Sequence, residues 1–257
     1  MPDGSGDKRP RSQQIAAELR EAIEDGTHPP GSRLPSQREL ALQYSVARNT
    51  VDEALKTLSR QGLITSEWGR GVFVREKKVL IRLGSDRYSP KYREMGLSPF
   101  LLECAKQGKS GRFEVLSIER VRPNPELAEQ LKVSVKSKSV LRRENVFYAD
   151  SDPVYRVTTW IPWSIAQGTG LLEENVPHPF GIHGIFEDKG HVMSRINDDI
   201  SARMPTPEET DYLKLPPGVP VIEVLHTSLD QDGEPYEVTR FVMRADMNGL
   251  HYNAPVE

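Results

Sequence analysis

Apolar residues fall in three helical stripes near the start of the chain. Ile15, Leu19 and Ile23 recur every four residues, which predicts a helix ending near Asp25-Gly26. After the loop GTHPPGSR, Ser36-Gln37-Arg38-Glu39 has the form of a capping box, so a short second helix is expected from about Gln37 to Gln43. Val51, Ala54, Leu55 and Leu58 share one face of a third helix that stops at Gly62, a residue suited to a left-handed helix end. LITSEW and GVFV are then short β-prone runs around Gly69-Arg70-Gly71, which predicts a hairpin with a glycine-rich tip.

The pattern changes near REKKV. The following LGSDRYSPKYREMG mixes Gly, Ser, Pro and charge without a period, and reads as a linker over residues 76–97. Beyond it, Ser98-Pro99 opens a helix, FEVLSIERV alternates as a strand, and NPELAEQL carries an Asn cap with Pro at the first helical position. SVLRRENVFY and PVYRVTTWI predict paired strands around Ala149-Asp150-Ser151-Asp152, and HVMSRINDDISARM a further strand. TPEETDYLKL is a capped helix, and VPVIEVLHTSL and PYEVTRFVM form a hairpin around Gln231-Asp232-Gly233. The expected fold class is a two-domain α+β chain: residues 1–11 as a disordered tail, 12–75 as a unit of three helices and a hairpin, and 98–257 as one α+β domain with a mainly antiparallel sheet.

Charge sharpens this division. The net charge is −3, but residues 1–78 carry +2 and the remainder −5, which leaves room for a basic face on the first part only. No apolar run approaches the roughly 18 residues of a membrane span, and MPDGSGDKRPRS lacks the apolar core of a secretory signal, so a cytoplasmic location is expected. Cys104 is the sole cysteine and reads as buried filler.

The core stripe of the third helix leaves Arg48, Asn49, Asp52, Glu53 and Lys56 facing outward. An Arg at the start of such a helix can bond guanine O6 and N7, Asn49 can do the same to adenine, and Thr50 with the helix-terminal amides can hold a phosphate. The pattern alone fits a DNA reader or a three-helix packing module with charged outer faces. The stretch GSRLPSQRELALQYSVARNTVDEALKTLSRQGLITSEWGRGVFV resembles the winged helix-turn-helix of the GntR family of bacterial transcription regulators. Leu34-Pro35-Ser36, Arg38, Leu40-Ala41, Val46, Arg48, Thr50-Val51, Ala54-Leu55, Gly62-Leu63-Ile64 and Gly69-Arg70-Gly71 all stand at the family spacing. The resemblance implies DNA contacts from Arg38 and Arg48, with Ser36, Asn49 and Thr50 beside them, and a wing whose Gly69 and Arg70 approach the sugar-phosphate backbone or minor groove. Two positions depart from the family. Ala47 replaces the usual hydroxyl cap, and Asp52 stands where relatives carry a second Arg; we expect Asp52 to pair with Lys56 rather than accept from cytosine.

No GxSxG, HExxH, GxxxxGK or cysteine cluster occurs in the second half. His178, His183 and His191 follow no common zinc spacing, so no metal and no cofactor is expected. Asp198-Asp199 reads as one buried partner and one solvated acid. FEVLSIERVRPNPELAEQL, the Ala149–Pro153 turn between strands, and DGEPYEVTRFVMRAD together resemble the UTRA effector domain of the HutC subfamily. That implies a chorismate-lyase-like fold, a small-molecule pocket, a homodimer, and repression relieved by a ligand. Where phosphosugar-binding relatives place arginines, a Ser and an acid, this chain has Asn145, Phe147, Gly181 and Val157, while Glu237 is retained. A phosphosugar is therefore less expected than a small, partly apolar, carboxylate-bearing metabolite. Strand alternation sets Arg143, Asn145 and Phe147 beside Tyr155, Val157 and Thr159 on one face. With Gly181, His183, Glu237 and Phe241, these are the candidate effector-binding residues. The expected function is a dimeric, effector-responsive repressor on an inverted-repeat operator in double-stranded DNA. The alternatives are a constitutive dimeric DNA-binding protein and an enzyme on the lyase-like fold.

Overall fold

The computed structural model describes residues 9–67, 69–75, 79–89 and 94–253. Most of the expected tail (residues 1–8), and residues 76–78 and 90–93 of the expected linker, lie outside the described residues. The chain divides into two compact units, the first formed by the residues before Val79 together with Pro216–Val219, the second by the rest.

In the first unit, α1 (Arg11–Glu24), α2 (Gln37–Gln43) and α3 (Arg48–Arg60) are followed by β1 (Ile64–Glu67) and β2 (Gly71–Val74). Helix α1 thus claims Arg11, the last residue assigned to the tail, because Pro10 takes an extended conformation and starts the first turn. The core joins Ile15, Ala16 and Leu19 of α1 to Leu40 of α2 and to Val51, Ala54, Leu55 and Leu58 of α3. Strands β1 and β2 pair antiparallel from Ile64↔Val74 to Glu67↔Gly71. At the hairpin tip Gly69 has φ 73° and Gly71 φ 120°, a region that side chains strain. A Cβ on Gly71 would stand 2.8 Å from Arg33 Nε.

The second unit is a six-stranded antiparallel sheet flanked by short helices. Its strands are β4 (Gly111–Val121), β5 (Val140–Ala149), β6 (Asp152–Pro162), β7 (Met193–Arg203), β8 (Val221–Asp230) and β9 (Pro235–Arg244). They lie in the order β4-β5-β6-β9-β8-β7. Between the two central hairpins the sheet closes through β6 and β9, so residues from distant sequence share one face.

The expected linker needs correction. Leu80–Arg82 is a strand (β3) pairing in parallel with β10 (Asn248–Leu250) near the chain end, and Gly84–Tyr88 is a 3-10 turn. Arg82 is fully buried: its Nη1 lies 3.4 Å from Asp198 Oδ2 and 3.3 Å from Tyr252 Oη, and its guanidinium covers the Phe241 ring at 4.8 Å. Arg87 is buried against Glu103, with Nη2 3.2 Å from Oε2. Charge and glycine in this segment mask its burial, because both arginines find their carboxylates far away in sequence. Asp198 is the buried member of its pair and Asp199 is exposed. Cys104 is fully buried, and the lack of solvent pushes its thiol up to about 12.

At the far end of β7, Arg203 forks onto Glu209, with Nη1–Oε2 2.7 Å and Nη2–Oε1 2.8 Å, and also meets Glu223 at 2.6 Å. Glu209 closes the capping box of the helix Pro207–Leu213 as well. The Arg203 hydrogen bonds hold its carboxyl down to about 2 against the opposing effect of burial. A folded-state value below the unfolded one stabilises the fold above about pH 4.5, and that contribution is lost as pH falls through about 2. Glu209→Gln should therefore lower unfolding free energy by roughly 1–3 kcal/mol at pH 7 and by far less at pH 2, read from urea unfolding at the two pH values.

Candidate nucleic-acid interface and ligand cavity

Two short helices set the geometry of the first unit's outer face. Ser36 caps α2, its Oγ accepting from Glu39 N at 3.3 Å, while Glu39 Oε2 accepts from Ser36 N at 2.7 Å. That reciprocal pair fixes where α2 starts and leaves the Arg38 side chain exposed at the second position of the helix. Ser45 turns the chain in the left-handed region at φ 51°, and α3 begins at Arg48. Arg48 and Asn49 are exposed and Thr50 is half-buried. Neither Arg38 nor Arg48 meets a carboxylate among the described residues. At the hairpin tip Gly69 and Arg70 are both exposed, and Arg70 is held by Glu67 and lies over Phe73 at 5.6 Å.

Asp52 is tied into the scaffold. Lys56 Nζ is 2.8 Å from its Oδ2, and Gln37 Nε2 donates to its Oδ1 at 3.2 Å. The pairing expected with Lys56 is present, and a link from α3 back to the first residue of α2 comes with it. Ala47 occupies the cap of α3 and offers no side-chain acceptor, and the Thr50 amide donates instead to the Ala47 carbonyl at 3.0 Å.

In the second unit a cavity of about 280 Å³ opens over the β5-β6-β9 face of the sheet. Register explains its floor: Arg143 faces Thr159, Asn145 faces Val157 and Phe147 faces Tyr155, while Thr159 and Val157 face Thr239 and Phe241 on the other side. Helix Pro99–Lys106 and the segment His178–His183 cover it. Arg143, Asn145, Phe147, Tyr155, Thr159, Gly181, His183, Glu237 and Phe241 all line this one cavity. Gly184 lets the lid pack, since a Cβ there would overlap His178 Nδ1 at 1.7 Å.

The lining is mostly apolar with a few buried polar groups. Phe100 meets Phe147 at 4.9 Å and Tyr155 at 5.3 Å between ring centres. Burial pushes His183 down to about 4, so its ring is neutral near pH 7, and its Nδ1 has no partner among the described residues. Tyr155 Oη and the Nε and Nη1 atoms of Arg87 are likewise buried without partners. Arg143 donates Nη1 to the carbonyls of Leu171 and Glu173, the latter at 2.9 Å, and desolvation lowers its guanidinium to about 10. Glu237 Oε2 accepts from Ser228 at 2.9 Å and Oε1 from Thr239 at 2.8 Å. Ser228 continues to His226 at 3.1 Å, and His226 to Asp198 at 2.5 Å.

Several lining residues escaped the sequence reading. Arg87 and Tyr88 sat in the presumed linker, and Phe100, His178 and Phe180 gave no periodic signal. Thr239 was accessible in principle, since it lies midway between Glu237 and Phe241 on a strand of period two. Among the described residues no group of three or more His, Cys, Asp or Glu could hold a metal ion. No helix is long and apolar enough to cross a membrane, again among the described residues.

The model of bacterial regulatory proteins of the gntR family matches residues 11–74, and the model of the UTRA domain matches residues 106–248. The chain belongs to the GntR family, in its UTRA-bearing branch. It is 29% identical over 232 residues to an HTH-type transcriptional regulator of Streptomyces coelicolor, covering 88% of this chain and 86% of that one. It is 28% identical to the mannosyl-D-glycerate transport/metabolism system repressor MngR of Escherichia coli, over 93% of each chain. The crystal structure of a GntR-family transcriptional regulator superposes with a TM-score of 0.63 at 28% identity, covering 97% of this chain and 99% of that one. This GntR protein is therefore a DNA-binding transcription regulator with a winged reader and an effector domain, and its family is one of regulators, not enzymes.

The missing cap yields a direct test. Ala47→Ser would give the first-turn amides of α3 a side-chain acceptor in addition to the backbone carbonyl that the Thr50 amide already uses, and we expect up to about 1 kcal/mol of added stability in the first unit. A raised urea midpoint for the helical signal of the full chain checks it; an unchanged midpoint would mean that the backbone bond and solvent already satisfy those amides.

Proposed function

We propose that the protein is a homodimeric repressor in the bacterial cytoplasm, with α3 of each protomer in a major groove of an inverted-repeat operator. In this reading Arg48 bonds a guanine edge, Asn49 reads beside it, and Thr50 and Ser36 lie against phosphate. Arg38 and the wing residues Gly69 and Arg70 add backbone or minor-groove contacts. What supports it is the pairing state of the charges: among the described residues Arg38 and Arg48 are exposed without acid partners, whereas Asp52 is engaged by Lys56 and Gln37.

The cavity of the second unit holds the effector in this proposal. One observation carries the sensing role. Arg87 and Tyr88 line the cavity and belong to the segment that follows the DNA reader in sequence. A molecule touching that segment has a covalent route to the reader. Release requires that the effector bind the DNA-incompetent state more tightly than the operator-bound one.

Arg48→Ala should weaken operator binding by roughly 1–3 kcal/mol and relax preference at a single base pair, measured by fluorescence anisotropy on operator variants. Undiminished binding would remove α3 from the reading role. Asp52→Ala should do the opposite to non-specific DNA. It frees Lys56 from one of its two acids, so affinity for random duplex rises and the slope of log K against log salt steepens by about one.

A further inference from the structure

The cavity contains two buried charges of opposite sign that do not meet each other or any other counter-ion. Arg143 is 3% exposed and Glu237 2%. Arg143 spends Nη1 on two carbonyls, and its Nε and Nη2 have no partner among the described residues. Glu237 accepts two hydroxyls, and no Lys, Arg or His lies within ion-pair distance of it among the described residues. The other ionic groups around the cavity are internally balanced: Arg87 by Glu103 at 3.2 Å, and Arg82 by Asp198 at 3.4 Å. A buried, uncompensated charge is strongly destabilising, so each of these two reserves its remaining bonding capacity for something that enters the cavity.

Their placement gives the spacing. Arg143 pairs across to Thr159, and Thr159 across to Thr239, which puts the two charged strands about 10 Å apart with one strand between them. Glu237 lies two residues along from Thr239 on the same face. Between the two heads lie the Thr159 and Thr239 hydroxyls, bonded to each other at 2.9 Å, and the rings of Phe147, Tyr155 and Phe241 flank them. A purely anionic ligand would answer Arg143 and leave Glu237 repelled and unmatched. A purely cationic one would do the reverse.

We propose that the cavity takes a small amphoteric molecule, its carboxylate bound by Arg143 and its protonated amine by Glu237, with an apolar body over the aromatic floor. This rests on reading the cavity as the effector site and names the chemical class that site accepts. The orphaned Tyr155 hydroxyl and His183 Nδ1 add neutral hydrogen-bonding positions along the body of the ligand.

The test is calorimetric titration of the full chain with amino acids whose two charges stand at opposite ends of an apolar body (aminohexanoate, aminooctanoate, aminomethylbenzoate). Each is compared with its singly charged analogues, such as hexanoate and hexylamine. We expect at least one amino acid to bind about tenfold or more tightly than either analogue. Glu237→Gln should abolish the preference over the acid analogue, and Arg143→Gln the preference over the amine. Equal or tighter binding of a singly charged analogue, or no binding by any amphoteric probe, overturns the proposal. The comparison within the wild-type protein stands even if a variant fails to fold. Operator affinity, measured in parallel, separates the two readings. Amphoteric binding without any change at the operator sinks the sensing role and keeps the ligand class. Operator release by a compound of another class, with no amphoteric binding, does the reverse.

Discussion

The register of β5, β6, β9 and β8 is the constraint on which the second unit depends. In an antiparallel sheet a slip of one residue sends every side chain to the opposite face. Here Arg143, Thr159 and Thr239 fall in one cross-strand row, Asn145, Val157 and Phe241 in the next, and Phe147, Tyr155 and Met243 in a third. The cavity floor is the product of that alignment, as is the chain of bonds from Glu237 through Ser228 and His226 to Asp198. The β8-β9 hairpin pins the register, since Asp230 Oδ1 accepts from the amides of Asp232 at 3.0 Å and Glu234 at 2.9 Å across the turn. In the first row Thr159 and Thr239 satisfy each other across the strands at 2.9 Å, whereas Arg143 turns to the carbonyls of Leu171 and Glu173.

The DNA reader obeys a different logic. Its fold comes from a single apolar core shared by three helices, and its chemistry lies wherever that core is not. Asp52 illustrates how the two requirements meet. An acid repels phosphate, yet here it pairs with Lys56 and accepts from Gln37, so it removes charge from the outer face of α3 and adds a polar link to α2. The basic surface is thereby narrow and rests on few residues, of which Arg48 is the one standing at the start of α3.

Much of this was legible in the sequence because the signals were local. Both capping boxes, the Asn124 cap, the three helical stripes and the hairpin turns each occupy fewer than a dozen residues, and each is found where its residues predicted it. The shared face of Arg143, Asn145 and Phe147 with Tyr155, Val157 and Thr159 followed from period-two alternation across a short turn. Residues 79–89 were misread because, apart from the 3-10 turn, what holds them is long-range. β3 pairs with a strand near the other end of the chain, and Arg82 and Arg87 are buried by virtue of Asp198 and Glu103, none of which local composition reveals. The family resemblance located the effector domain but not this wall of its cavity.

That misread segment is where the account is most exposed. If ligand binding and operator binding bias one equilibrium, linkage requires that operator alone perturb the cavity wall, even with no effector present. Hydrogen–deuterium exchange of the full chain, with and without an operator duplex selected from a random-sequence pool, measures this directly. The account predicts altered amide protection in residues 79–89 and in the β5-β6 floor, in addition to protection of α3 and the wing. Changes confined to the first unit, with exchange in residues 79–253 unaffected, would contradict it.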